Sequence, residues 1–260
     1  DRALNLLLYP SNLASPGRLV KIARSLSPLF SQTHIVGIDQ GALPTDEAVA
    51  PTVHLTRIRG TSLGAPLGGL RVVCAWGARV YRRFARQRVA AVSAQNLFLL
   101  PLAHTLARRT GAVFAYNAHE LETETVGSAG LRQRLQRAIE RHYIHRADVV
   151  SVVNESIAQW YREAYPGVDP VVVTNAPTGA EGVIDLRARL GIPKEALLYL
   201  HSGYLAPGRN IPLILRTFEQ VTSAHVVFVG SGALLPEVER AAASHPNIHH
   251  LPPVQPEQVL

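Results

Sequence analysis

Apolar runs of strand length alternate with amphipathic segments of helix length almost from one end of the chain to the other, and this alternation is the pattern of a parallel sheet with crossover helices. Leu4 to Tyr9 reads as the first strand, stopped by Pro10-Ser11-Asn12. Residues 17–30 carry Leu19, Ile22, Ala23, Leu26 and Phe30 at helical spacing, and Thr33 to Ile38 forms the next apolar run. Further strands are expected at 53–58, 89–93, 112–116 and 149–153, with helices near 70–87, 97–109, 131–146 and 155–164. Together they make a doubly wound, Rossmann-like α/β domain over residues 1–170.

The stretch from Tyr165 to Pro170 is marked by proline and glycine and leads into Val171 to Thr174 and a turn, Asn175-Ala176-Pro177-Thr178-Gly179. The domain boundary is placed there. The alternation then restarts with a strand at 197–202, a helix at 210–221, a strand at 226–230, a helix at 233–243 and a short strand around Ile248. Residues 171–260 thus read as a second Rossmann-like domain with only its first three strands. Pro256 to Leu260 resembles the opening of a helix, and the chain contains no methionine, so it reads as a fragment of a longer product.

Composition narrows the functional classes. With 47% hydrophobic and 17% charged residues over 260 positions, the chain has the make-up of an ordinary globular protein. Cys74 is the only cysteine, which excludes an intramolecular disulfide and a four-cysteine metal site. Residues 89–107 carry no charged side chain and match a bilayer-spanning length, but Ser93, Gln95, Asn96, Pro101 and His104 argue for a buried strand followed by a helix. The net charge of +7 is uneven: residues 1–170 are +8 and residues 171–260 are −1. Six arginines lie in 71–88, where Val73, Trp76, Val80 and Phe84 take one face and Arg79, Arg83 and Arg86 lie near the other, and five lie in 131–146 beside one glutamate. Such helices suit an anionic lipid surface, while a solvated outer face has the same make-up.

In open parallel sheets ligands bind beyond the carboxyl ends of the strands, so the residues just after each apolar run carry the chemistry. Three places stand out. His119-Glu120-Leu121-Glu122-Thr123-Glu124 follows the run ending at Tyr116, and three carboxylates near an imidazole are expected to raise its pKa and to handle a proton or a sugar hydroxyl. A merely polar loop would look alike. Ser202-Gly203-Tyr204-Leu205-Ala206-Pro207-Gly208-Arg209-Asn210 leads from a strand into a helix; close backbone approach at glycine, outward amides at the helix start and the Arg209 fork suit a diphosphate. Gly230-Ser231-Gly232 also ends a strand, but Leu235 stands where a dinucleotide fingerprint needs glycine, and there is no P-loop triplet. A turn to receive a base or ribose remains, beside a plain turn.

On these residues and their order the chain resembles the family 4 glycosyltransferases of the two-domain GT-B fold. Leu198 to Asn210 is similar to the family's donor-diphosphate loop, Gly230-Ser231-Gly232-Ala233 to its Gly-x-Gly-Pro turn under the nucleotide, and Val172-Val173-Thr174-Asn175 to the segment opening the second domain. His119 falls where the family has an active-site histidine. Two departures stand beside this: Tyr204 and Arg209 occupy the places of two usual basic residues, and the family's glutamate pair separated by seven residues would lie beyond Leu260. The resemblance implies a retaining transferase that uses a nucleotide-sugar donor and no metal or other cofactor. It implies His119 as catalytic, Ser202, Gly203, Tyr204, Arg209, Gly230, Ser231 and Gly232 as donor-binding, Gly17, Glu120 and Glu122 as acceptor-side, and Asn175 as hinge, with chemistry between the domains.

The implied acceptor is a glycan, a lipid-linked or a small molecule, and the implied place is the cytoplasm or the inner face of the membrane. Two alternatives stay open, a GT-B-fold sugar-nucleotide epimerase using the loop carboxylates and a non-catalytic GT-B-like subunit. Nucleic acid is not an expected partner, because aromatic residues, 6% of the chain, do not interleave with the arginines.

Overall fold

The computed structural model describes residues 3–14, 16–60, 68–125, 129–176 and 184–253, with 68–73 as backbone only. It divides into two compact units, Asp1–Asn175 and Ala176–Leu260. The expected helix opening at Pro256 to Leu260 and the end of the turn at Pro177 to Gly179 lie outside the described residues.

The first unit is built on an eight-stranded sheet. Its elements are β1 (Leu4–Leu8), α1 (Gly17–Leu26), β2 (Gln32–Asp39), β3 (Asp46–Ala50), β4 (Val53–Arg59), α2 (Gly68–Phe84), β5 (Val89–Ala94), α3 (Leu100–Thr110), β6 (Val113–Ala118), α4 (Gly130–Tyr143), β7 (Val149–Val152), α5 (Glu155–Ala164) and β8 (Val171–Val172). The strand order is β3-β4-β2-β1-β5-β6-β7-β8. All neighbours are parallel except β3, which runs antiparallel along β4. The chain therefore winds outward from β1 in one direction and, from β5 on, in the other. β1 and β5 meet at a topological switch point, where the loops leaving their carboxyl ends part and open a crevice.

Both faces of this sheet are covered, which is why its strands lack polar alternation. Leu6, Leu8 and Val36 pack with Trp76, Phe84, Leu100 and Leu106 on one face; Leu7, Ile35 and Leu55 pack with Leu19 and Ala23 of α1 on the other. Trp76, Val80 and Phe84 repeat every fourth residue along α2 and are essentially fully buried. The uncharged stretch 89–107 resolves into β5, a 3-10 turn at Leu97–Leu99 and the start of α3. Among the described residues no helix is long and apolar enough to cross a membrane.

Two differences from the sequence reading have plain causes. β3, Asp-Glu-Ala-Val-Ala, has no apolar run; it is an edge strand whose acidic residues face water. Val171–Val172, expected to open the second domain, instead pairs with Ser151 and Val152 of β7, and the Val173 amide donates to the Val152 carbonyl at 2.8 Å. An apolar pair takes the backbone partners that an open sheet edge offers, so the first unit extends to Asn175 rather than ending at 170.

The second unit contains α6 (Leu186–Leu190), β9 (Leu197–Ser202), α7 (Ile211–Gln220), β10 (Ala224–Val229), α8 (Leu235–Ser244) and β11 (Ile248–Leu251), with a parallel sheet in the order β11-β10-β9. α6, five residues long, is too short for periodicity to reveal; Asp185 caps its Arg187 and Ala188 amides and Gly191 ends it in the left-handed conformation. Ile211, Leu215 and Phe218 of α7 pack on Val226 and Phe228 with Val238 of α8. The buried Asn247 amide donates to the Phe218, Val221 and Ala224 carbonyls, tying the end of α7 to the start of β10.

Candidate functional site

The first group of candidate side chains gathers at the switch point of the first unit. The loop after β1 is held by Arg57, which is 3% exposed and donates to the carbonyls of Asn12, Leu13 and Pro44 at 2.7, 2.9 and 2.7 Å. That loop delivers Gly17 and Arg18 to the first turn of α1, which has no acidic residue and no side-chain cap. The Arg18 Nε is buried and takes no hydrogen-bond partner among the described residues. Gln95 follows β5, its amide donating to the Leu8 carbonyl of β1 at 3.0 Å. His119 follows β6, and its Nε2 lies 2.9 Å from Gln95 Oε1.

These residues do not form the acidic constellation expected from the sequence. The carboxylates diverge: Glu120 is exposed, Glu122 accepts from Asn96 Nδ2 at 2.6 Å and the Leu97 amide at 2.8 Å, and Glu124 pairs with Arg137 at 3.0 Å. His119 is instead pulled down to about 4, first by burial and then by the Arg18 guanidinium, which corrects the expected rise. Burial pushes Glu122 up to about 7, with Glu120 and Glu140 adding to it and the Leu97 amide opposing it. The imidazole is therefore a neutral hydrogen-bonding group near pH 7, and Glu122 braces the turn that begins α3.

The second group lies at the carboxyl ends of β9 and β10. Backbone bonds join the two loops: the Gly203 amide donates to Val229, the Leu205 amide to Ser231 and the Leu234 amide back to Leu205, all at 2.9 Å. Gly232 is required by this contact, since a Cβ there would meet the Leu205 carbonyl oxygen at 2.4 Å. Ser202, Tyr204, Ser231 and Arg209 are exposed at the rim. Arg209 lies close enough to His201 to lower its pKa, behind the larger effect of burial. The helix start offers fewer free amides than expected: Pro212 has none, and the Leu213 and Ile214 amides both donate to the Asn210 carbonyl at 3.0 Å. Asn175 is exposed at the end of the first unit.

Sequence reasoning missed Gln95, Arg18 and Arg57 as parts of a site. Gln95 carried a signal, a polar residue directly after a strand that is buried on both faces. Arg18 carried only its place beside Gly17 at a helix start.

Comparison with known proteins places this geometry. The sucrose-phosphate synthase of Thermosynechococcus elongatus superposes with a TM-score of 0.76 at 12% identity, over 98% of this chain and 72% of that one. The Anabaena protein HepE in complex with UDP-glucose gives 0.64 at 15% identity, over 98% and 71%. The catalytic domain of starch synthase IV from Arabidopsis thaliana, bound to ADP and acarbose, gives 0.65 at 11% identity, over 98% and 74%. These likenesses show the fold, that of the GT-B proteins, with two Rossmann-like units. A search of curated proteins finds no match. The glycosyl transferase 4-like domain matches residues 18–179, more than half of the sequence, and the chain belongs to that family of glycosyltransferases.

Proposed function

We propose that the protein transfers a sugar, with retention of anomeric configuration, from a nucleoside-diphosphate sugar to a glycan, lipid-linked or small-molecule acceptor. The observation that carries this reading is the neutral His119 fixed by Gln95 at the switch point, beside an Arg18 whose Nε has no partner among the described residues. The first unit holds the acceptor side through Gly17 and Glu120, with His119 at the reacting centre and Glu122, also implied on the acceptor side, taken up by Asn96 and the Leu97 amide; the second holds the donor through Ser202, Gly203, Tyr204, Arg209, Gly230, Ser231 and Gly232. Arg209 and the loop amides neutralise the charge that grows on the departing diphosphate, so no metal or other cofactor enters the scheme. UDP-glucose, the ligand in HepE, is the first donor to test. The arginine-rich helices favour work at the inner face of a membrane.

The epimerase alternative needs a pair of available carboxylates, and two of the three in the loop are already engaged, Glu122 with Asn96 and Glu124 with Arg137. Transfer is tested by incubating the protein with UDP-, GDP- and ADP-sugars and mixed acceptors, following nucleoside-diphosphate release, and assigning the product anomer by NMR. Acceptor-dependent release with a retained anomer supports the proposal. An inverted product overturns retention, and the absence of both release and nucleotide binding overturns the reading itself.

A further inference from the structure

A chain of hydrogen bonds runs across the carboxyl ends of three neighbouring strands behind His119. Gln95 Oε1 faces His119 Nε2 at 2.9 Å, and Gln95 Nε2 donates to Ser93 Oγ at 2.8 Å. Ser93 Oγ accepts a second bond, from Asn117 Nδ2 at 3.0 Å, and Asn117 Oδ1 accepts from the Ser151 hydroxyl. Ser93 and Gln95 are 5% and 3% exposed, so the bond between them is shielded from competing water. With Gln95 Nε2 donating to Ser93 Oγ, the same amide presents its oxygen, a pure acceptor, to the histidine.

We infer that Gln95 is a positioning residue that fixes His119 as the Nε2–H tautomer, so that Nδ1 offers a lone pair and the substrate group it meets is a hydrogen-bond donor, a hydroxyl rather than a phosphate or carbonyl oxygen. An oxygen without a hydrogen can accept only from Nε2, and a neutral imidazole has one N–H to give. Among the described residues no donor is bonded to Nδ1. Burial and the Arg18 guanidinium disfavour the doubly protonated ring, which would otherwise give Nδ1 a proton as well. The assignment deepens the transferase reading and rests on it for the identity of the hydroxyl, a sugar or acceptor alcohol. The tautomer itself does not depend on that reading.

Nitrogen-15 NMR of the imidazole in the full protein tests this without any substrate. At pH 7 the His119 signals are expected to show a protonated Nε2 and an unprotonated Nδ1. Gln95→Leu should leave a mixture of tautomers. Gln95→Glu, close in shape, should place a carboxylate on Nε2–H and raise the His119 titration midpoint by more than one pH unit, a change that a purely structural glutamine would not produce. In transfer assays Gln95→Leu should lower kcat at least tenfold with nucleotide affinity unchanged. An Nδ1–H tautomer in the unaltered protein, or a titration unmoved by Gln95→Glu, overturns the inference. The expected tautomer together with full transfer by His119→Ala would leave the inference standing and sink the transferase role of His119.

Discussion

A Cβ built on Gly230 falls 1.9 Å from the carbonyl oxygen of Gly203, well inside the contact distance of any two such atoms. The two glycines end neighbouring strands, and their loops close on each other through backbone bonds, so the Gly-Ser-Gly turn is first of all a packing device. Any ligand that rests on it uses a surface already shaped by the protein. Gly230→Ala is expected to cost about 2–3 kcal/mol, because backbone rather than a flexible side chain must yield. Ser231→Ala, at an exposed position, should stay within about 0.5 kcal/mol. Urea unfolding of both variants checks this, and an unaffected Gly230→Ala would mean that the loops are not in contact.

Arg209 is exposed at the rim of the second unit, next to His201. If it grips the donor diphosphate, Arg209→Ala removes a charge-assisted bond of about 1.5–3 kcal/mol, roughly a ten- to hundredfold rise in the Kd for a nucleoside diphosphate. Calorimetry reads this directly, and unchanged affinity would remove Arg209 from the donor site.

Glu140 is fully buried and accepts hydrogen bonds from three phenols: Tyr116 at 3.0 Å, Tyr161 at 2.7 Å and Tyr165 at 2.7 Å. Burial pushes the carboxyl up while these bonds resist, and the tyrosines are raised by burial and by the nearby carboxylate. Glu140→Ala leaves three buried hydroxyls to find new partners and should destabilise the protein by about 3 kcal/mol or more. Glu140→Gln keeps one acceptor oxygen and should cost less. Equal Tm values for Glu140→Ala and the unaltered protein would show that the cluster contributes nothing.

Glu122 gives a pH signature. Its carboxyl is raised to about 7 from 4.5, so the unfolded chain loses this proton first as pH climbs. The stability it contributes is full below pH 4.5 and is lost as pH rises through about 7. Glu122→Gln should therefore gain on the unaltered protein by about 1–3 kcal/mol between pH 4.5 and 7.5. His119 has the opposite sign, its share being present above pH 6.5 and lost as pH falls through about 4. A Tm difference between Glu122→Gln and the unaltered protein that stays flat with pH would contradict the assignment.

Membrane attachment, proposed from charge, has a narrower footing than the arginine count suggested. Arg79 donates to the Arg59 carbonyl at 2.9 Å, Arg83 pairs with Asp46 at 3.2 Å and Arg137 with Glu124, so these guanidiniums are committed to the fold. Exposed arginines such as Arg132 and Arg134 remain on α4. Binding to vesicles containing phosphatidylserine should weaken steeply between 50 and 300 mM salt, at about 1 kcal/mol per contact. Binding indifferent to lipid charge would leave the basic faces as solvated surface.

The sequence by itself determined the strands that lie inside the sheets and the helices between them, because period and apolar run length report burial directly. It also marked His119, Arg209 and the two glycine-bearing loops, since in a parallel sheet the carboxyl ends of strands are where ligands go. It did not show β3 or α6, which are too short or too polar to leave a pattern, nor the partner that Val171–Val172 would choose. Tertiary structure alone decided the electrostatics. Glu120, Glu122 and Glu124 are neighbours of His119 in sequence but turn to different surroundings, while burial and then Arg18, 101 positions away, lower its pKa, and Gln95, 24 positions away, takes its hydrogen bond. Glu140 looks like one acid in a basic helix until the fold brings three tyrosines onto it. Proximity along a chain fixes which groups can be near, but desolvation and bond geometry depend on what the fold packs against them, and a one-dimensional pattern carries no record of that.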